Sequence, residues 1–424
     1  MPVTGVPVAG VPDRDAALLA AAAQSFSDKN IVKIGVAVSG GSDSLAALHL
    51  IVQAAASRGC QVHGVTVDHR LRPEAAAEAD YVGQICAGLG VSHTVLVWPH
   101  GDIAGNLMDA ARRARYDLMA QWAMGLGIGH IVLGHTADDQ AETFLMGLAR
   151  AAGVDGLSGM RESWVLNSVR FDRPFLHISR ADLRAYLLRR GVNWVNDPSN
   201  ENSAYARIKA RRVLAALQPL GISLAHLGRV VTNLNVARAA LHSATNLAAR
   251  QIVTETAGGL TLDLHDLKQQ PFDIQRRLWL AALAWISGSD YPPRAAALRR
   301  AEQAVSGGND TTLAGCKMSV AALQLCITRE PRAVADLVCA TDQLWDGRWR
   351  LIGQSAPGQH LRALGAHGLR RCTQWRETGL SRDILLVTPA VWHGDALIAA
   401  PIAGYAQGWS AQIVPSFHDH ILSH

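Results

Sequence analysis

The chain has 424 residues, 49% hydrophobic and 18% charged, which excludes a disordered or fibrous class and suffices for two or three domains. Lysine and arginine number 40 against 35 aspartates and glutamates, a formal charge of +5 that permits a polyanionic partner without requiring one. The six cysteines (Cys60, Cys86, Cys316, Cys326, Cys339, Cys372) are scattered and form no Cys-x-x-Cys pair, which argues against a disulfide framework, zinc or an iron–sulfur cluster and suits a reducing compartment.

The opening MPVTGVPVAGVPDRD has no basic run ahead of an apolar core, and no apolar run in the chain approaches membrane-spanning length. A cytoplasmic protein with no membrane partner is therefore expected. Strands are predicted at 31–39, 61–69, 92–98 and 130–135, each short, rich in valine and isoleucine and apolar on both faces, as in a buried parallel sheet. Helices are predicted near 43–58, 74–89 and 106–126, and another begins at Asp138. This alternation predicts an α/β fold with a doubly wound parallel sheet, whose ligands gather at the carboxyl ends of the strands. Those ends carry Ser39–Ser44, Asp68-His69-Arg70 and His135–Glu142. Past Leu217 the pattern changes. Residues 222–305 read mainly as helix, and from about 310 short strand-like pieces follow one another. The expected organisation is a catalytic domain over 1–217, a helical middle domain over 218–334 and a small C-terminal α/β or β-rich domain over 335–424.

The stretch AVSGGSDSL, residues 37–45, joins the first strand to the first long helix. Gly40 and Gly41 permit positive φ and close backbone approach, so several N–H groups can face one concavity, and the helix that follows adds its N-terminal partial charge. Ser39, Ser42 and Ser44 offer hydroxyl donors, while Asp43 can cap the helix or hold a magnesium ion between phosphates. A purely structural strand-to-helix turn uses the same residue types. The Walker A lysine, which serves the β- and γ-phosphates in γ-phosphoryl transfer, is missing, and that points to chemistry at another phosphate bond.

The loop SGGSDS resembles the PP-loop of the N-type ATP pyrophosphatases. That resemblance implies a grip on the β,γ-pyrophosphate of ATP, with cleavage between the α and β phosphorus atoms. Five further segments narrow it: VTVDHRLRPEAAAEADYV (65–82), AARRARYDLM (110–119), GHTADDQAETFLMGLARAAGVDGLSGM (134–160), RPFLHISRADLRAYL (173–187) and NDPSNENSAYARIKARR (196–212). In this order they resemble the bacterial tRNA(Ile)-lysidine synthetases, with weaker likeness in LAGCKM, LWDGRWRL and VTPAVWHGDALIAAP. The resemblance implies a ligase with ATP and Mg2+ as cofactors. It would adenylate C2 of the wobble cytidine in a CAU-anticodon tRNA(Ile), then let free L-lysine displace AMP, giving lysidine. Another PP-loop tRNA-modifying enzyme, such as a thiolase, is the alternative, and it should carry catalytic or cluster-binding cysteines. Oligomeric state is left open, a homodimer being one option. Thr136 departs from the family pattern, where many members carry a second histidine.

Asp43 is the candidate loop and magnesium residue, and Asp68 either contacts adenosine or metal or simply caps its strand. His135 heads a polar cluster at the ligand edge of the sheet, where it would face the nucleotide phosphates. Asp138, Asp139 and Glu142 start a helix, where the dipole alone favours carboxylates. Asp139 and Glu142 also stand i, i+3 on one face, able to converge on one ammonium, and the resemblance places lysine there. Arg112 and Arg115 share a helix face near Tyr116, with salt bridging as the ordinary alternative. The resemblance puts Arg115 beside the reacting nucleotide and Arg207 on tRNA or AMP phosphate. Residues 170–212 and 348–382 each carry a net charge of +6, against +5 for the whole chain, as two phosphate-backbone footprints would require. Trp194, Tyr205 and Trp375 are available for base stacking, or equally for a core.

Overall fold

The strands Lys33–Ala37 and His130–Leu133 are buried on both faces, whereas Ser92–Val97, also expected to be so, is an edge strand and stays partly exposed. In chain order the elements are α1 (Arg14–Gln24), β1 (Lys33–Ala37), α2 (Ser42–Ala56), β2 (Gln61–Asp68), α3 (Ala75–Gly88), β3 (Ser92–Val97), α4 (Leu107–Leu126) and β4 (His130–Leu133). They continue with α5 (Ala137–Leu148), α6 (Val154–Leu157), β5 (Ser163–Leu166), β6 (Val169–Asp172), α7 (Arg180–Arg189), α8 (Ala206–Leu217) and α9 (Leu224–Ile252). The computed structural model describes residues 14–26, 31–70, 74–99, 107–195, 206–289 and 291–423. The chain divides into two compact units, Met1–Arg238 and Ala239–His424.

The first unit holds a six-stranded sheet in the order β3-β2-β1-β4-β6-β5, parallel except for the β5–β6 edge pair. Ile34, Val36 and Val132 pack on one face with Leu18 of α1, Leu45 and Leu48 of α2, Val82 of α3 and Leu183 of α7. On the other face Val65, Ile131, Leu133 and Phe171 pack against Tyr116, Met119 and Ala123 of α4. Helices thus cover both faces, and the doubly wound α/β sheet read from the sequence is present. The direction of winding reverses between β1 and β4, where Ala37 pairs with Leu133. Their outgoing loops therefore leave side by side, which is where a doubly wound sheet binds its ligand. Gly134 is required there. A Cβ on it would stand 2.7 Å from the carbonyl oxygen of Asp43, closer than any side chain allows.

The second unit continues with β7 (Val253–Thr256), β8 (Gly259–Asp263), α10 (Leu264–Gln269), α11 (Phe272–Ser287), α12 (Ala295–Ser306), β9 (Thr311–Leu313), β10 (Cys316–Ala321) and β11 (Gln324–Arg329). Then come α13 (Pro331–Val334), β12 (Val338–Ala340), β13 (Trp349–Ile352), β14 (Gln359–Ala363), α14 (Gly365–Leu369), α15 (Arg382–Leu386), β15 (Pro389–His393), β16 (Ala396–Ala399), β17 (Ser410–Ile413) and α16 (Phe417–Ser423). The region read as mainly helical also contains β7 and β8, which join the five-stranded sheet β7-β8-β11-β10-β9. Their turn places Ala257 and Gly258 at φ 46° and 81°, the left-handed pair of a tight hairpin. Trp279, Trp285, Leu278 and Leu325 form the core over this sheet, and Phe417 and Ile421 of α16 complete it. Four strands, β12-β14-β15-β16, make a further sheet, and β13 pairs with β17. Arg348, counted in the second basic segment, is interior. It is 5% exposed, stacks on Trp285, donates to the Gly258 carbonyl and pairs with Asp346, and burial pushes its pKa down to about 10. Among the described residues no single helix is long and apolar enough to cross a membrane.

Candidate active site

The loop after β1 is organised around Ser44. Its Oγ accepts the Ser39 N–H at 3.1 Å and donates to the Gly41 carbonyl at 3.0 Å. Gly40 takes φ 83°, and its carbonyl accepts the Val195 N–H at 2.9 Å. Gly41 is the N-cap of α2 and supplies no side-chain cap, so the first turn of the helix keeps its positive end open toward an anion. Ser42 Oγ donates to Asp43 Oδ1 at 2.9 Å and accepts from Arg184 Nε at 3.1 Å.

Beside the loop, the first turn of α5 carries the acids. Thr136 is the N-cap in a capping box with Asp139, whose Oδ2 accepts both the Thr136 N–H at 2.8 Å and its hydroxyl at 2.9 Å. Thr136, singled out in the sequence as a departure from the expected pattern, is thus a helix cap in this chain. Asp138 Oδ2 accepts the Arg180 N–H at 2.7 Å, which fixes the start of α7. Asp139 and Glu142 do converge on one cation, and it is the guanidinium of Arg180. Nη2 lies 3.1 Å from Asp139 Oδ1 and Nη1 lies 3.4 Å from Glu142 Oε1, while Nε lies 2.8 Å from Asp43 Oδ2. Burial opposes the charge on Arg180, but Asp43, Asp139 and Glu142 together raise its pKa. Arg211 of α8 adds a second guanidinium to Glu142 Oε1 at 2.6 Å. Glu142 is 1% exposed, and its Oε2 is buried with no hydrogen-bond partner.

The other half of the cluster is basic and aromatic. His135 Nδ1 accepts from Arg173 Nε at 3.2 Å. Burial, then the charges of Arg173, Arg115, Arg207 and Arg112, lower the His135 pKa well below its ordinary value, so the ring is neutral. Arg173 is 6% exposed and lies 4.1 Å over the Trp164 ring, which stacks on Phe171. Arg112 and Arg115 lie 5.3 and 5.5 Å over Tyr116. Burial lowers the pKa of Arg115, with further push from Arg112 and Arg207. Burial raises and the surrounding arginines lower the Tyr116 hydroxyl, with a net fall.

Ser39–Ser44, Asp43, His135, Asp139, Glu142, Arg112, Arg115 and Arg207 thus lie in one region of one unit. Asp68 ends β2, where its Oδ1 accepts the Arg70 N–H at 2.8 Å. Trp194 and Trp375 each pack partly against a core. Tyr205, most of the 196–212 segment and residues 71–73 lie outside the described residues. The sequence reading assigned no role to Arg173, Arg180 or Arg211. All three stand in segments it quoted, RPFLHISR and KARR; Arg173 is buried, and Arg180 and Arg211 are half-buried.

Residues 16–217 match the sequence model of the PP-loop domain. The chain is 42% identical over 402 residues to the tRNA(Ile)-lysidine synthase of Ruegeria pomeroyi, covering 94% of this chain and 96% of that protein. It is 36% identical over 401 residues to that of Brucella anthropi (89% and 87% covered) and 35% identical over 337 residues to that of Hyphomonas neptunium (76% and 89%). This chain belongs to the tRNA(Ile)-lysidine synthase family. Membership in that lysidine synthase family makes it an ATP-using, carbon–nitrogen bond-forming ligase rather than a thiolase. The thiols agree. Cys60, Cys86, Cys316 and Cys372 are buried, and burial pushes Cys86 up to about 11 and Cys316 up to about 12. Among the described residues no group of three or more His, Cys, Asp or Glu is placed to hold a metal.

Proposed function

We propose that the Ser39–Ser44 loop holds the β,γ-pyrophosphate of ATP while the C2 carbonyl oxygen of a wobble cytidine attacks the α-phosphorus. Pyrophosphate leaves and an adenylated cytidine forms. The ε-amino group of lysine then attacks C2, and the oxygen departs with AMP. The observation that carries this reading is the junction of loop, acids and arginines. Asp43 is joined through Arg180 to Asp139 and Glu142, beside the His135, Arg115 and Arg173 cluster.

Each residue has a task in it. Arg112, Arg115, Arg173 and Arg207 supply fixed positive charge for the phosphates of AMP and of the anticodon loop. His135, neutral, offers a hydrogen bond without adding charge. Glu142 Oε2, buried and unpartnered, receives the lysine ammonium and takes the proton that the amine must shed. Asp139 supports it from the same face, although its Oδ2 is committed to the helix cap. Asp43 is the carboxylate that would hold magnesium, and the chemistry such an ion would supply there is to offset the charge of the leaving pyrophosphate. Asp68, at the end of β2, bounds the adenosine side.

The tRNA partner is a CAU-anticodon tRNA(Ile) acting in the cytoplasm. The exposed arginines Arg350, Arg370, Arg371, Arg376 and Arg382 provide a second phosphate footprint. Incubation with ATP, lysine and CAU-anticodon tRNA, followed by nucleoside mass analysis, tests the reading. Lysidine that depends on all three components is the expected product, and unmodified cytidine with ATP intact would overturn it.

A further inference from the structure

Three carboxylates, Asp43, Asp139 and Glu142, meet one guanidinium in the candidate active site, and they come from different parts of the chain. Asp43 belongs to the nucleotide loop, while Asp139 and Glu142 belong to α5. Arg180 bonds all three, at 2.8, 3.1 and 3.4 Å, with its backbone N–H fixed on Asp138 at 2.7 Å. Arg211 approaches Glu142 from α8, at 2.6 Å. Counting formal charges, three carboxylates face two guanidiniums, so the cluster is short of one positive charge, and Glu142 Oε2 is the oxygen left bare.

We propose that Arg180 is a positioning residue that couples nucleotide binding to lysine binding, one guanidinium tying Asp43 of the phosphate loop to Asp139 and Glu142 of the amine site. The proposal rests on the reading above of Asp139 and Glu142 as the lysine acids. A triphosphate in Ser39–Ser44 brings several negative charges next to Nε of Arg180. Guanidinium pairs with phosphate as readily as with carboxylate, so the nucleotide competes with α5 for the same donors. Drawn toward the phosphates, Arg180 leaves Asp139 Oδ1 and Glu142 Oε1 with negative charge unbalanced, and an ammonium restores it. Nucleotide therefore tightens lysine, and by linkage lysine tightens nucleotide by the same factor. An ion pair that merely holds the fold together predicts no coupling in either direction.

The test is calorimetric titration of lysine into the full chain, with and without α,β-methylene-ATP and with equal magnesium in both arms. In the wild type the nucleotide is expected to tighten lysine by about fivefold or more. Arg180→Gln should bring the factor to about one. Arg180→Lys, which keeps the charge but cannot reach three carboxylates, should do the same and guards against a Gln variant that fails to fold. Arg211→Gln, which strips a competing guanidinium from Glu142, should tighten lysine in both arms and leave the coupling factor unchanged. A wild-type factor near one, or an unchanged factor in both Arg180 variants, overturns the coupling alone. Failure of the wild type to bind lysine in either arm overturns the lysine site itself, and the coupling with it.

Discussion

Gly134 and Asp43 are in van der Waals contact through backbone atoms, the Gly134 α-carbon facing the Asp43 carbonyl so closely that a methyl group would lie 2.7 Å from that oxygen. The contact sets how near the end of β4 comes to the start of α2, and with it the distance between His135 and the phosphate loop. Gly134→Ala must push the two apart. Overpacking of this kind costs about 1–3 kcal/mol. We expect a lower melting temperature, and a loss of nucleotide affinity larger than that loss of stability alone would produce. Nucleotide titration alongside thermal melting separates the two, and an affinity equal to wild type would show that the loop does not need this approach.

Asp43→Ala should abolish ATP-dependent modification while leaving tRNA affinity largely intact, because its carboxylate faces the loop and Arg180. Ser44→Ala removes the acceptor for the Ser39 N–H and the donor to Gly41, so it should loosen the loop and weaken nucleotide binding by roughly one hydrogen bond or more, about 1 kcal/mol. Modification assays with filter binding of tRNA decide this. Near-normal turnover in Asp43→Ala would remove the loop from the mechanism.

Asp139→Asn and Glu142→Gln are expected to behave differently. Asp139 closes a capping box, and its neutralisation should lower stability by about 1 kcal/mol in addition to any effect on lysine. Glu142→Gln removes the buried acceptor and should separate the half-reactions. Pyrophosphate release continues, while lysine incorporation falls by about 100-fold or more, the scale of a lost acid–base group. Equal loss of both half-reactions in Glu142→Gln would place its role elsewhere.

The neutral state of His135 has a consequence for acid stability. Burial and four arginines lower its pKa in the folded chain, so below the ordinary value of 6.5 the unfolded chain binds the proton more readily. The neutral imidazole therefore costs no stability near pH 7.5, and the folded state loses ground as pH falls through about 6.5. His49, His63 and His93 are lowered mainly by burial and act in the same direction. His135→Asn should recover part of the loss between about pH 7.5 and 5.5 in urea unfolding. A stability difference between those two pH values identical to that of wild type would mean the ring is charged when folded.

Arg370, Arg371 and Arg376 are exposed, whereas Arg348 is interior. Converting the three exposed arginines to glutamine should weaken tRNA binding and reduce the slope of log affinity against log salt by about 2–3. Substitution is the cleaner probe here. A truncation after residue 334 would also remove Phe417 and Ile421 from the core over α11. An unchanged slope would mean these side chains face only solvent.

The sheet and its loop were legible because they rest on local signals: valine-rich strands, a glycine turn with no lysine, and helices of ordinary length. Ser39–Ser44 and the Asp139–Glu142 face could be named for the same reason. The Asp43–Arg180 ion pair could not, since 137 residues separate its partners and no period or spacing encodes that meeting. Arg348 misled in the opposite sense. Sequence counts charge without burial, and an arginine stacked on Trp285 and paired with Asp346 contributes nothing to a surface field. The β7–β8 hairpin was missed because its strands are four and five residues long and its turn is Ala-Gly rather than Asn-Gly.

The crowd of guanidiniums around His135 also bears on how the protein is handled at the bench. Arg112, Arg115, Arg173 and Arg207 press on the same ring with the same sign. Any polyanion that enters relieves that repulsion and binds the folded form in preference to the unfolded one, raising the melting point by mass action. Cell extracts are full of such anions. The protein should leave a lysate carrying RNA fragments, shed them only at high salt, and then melt at a higher temperature in phosphate than in chloride of equal ionic strength.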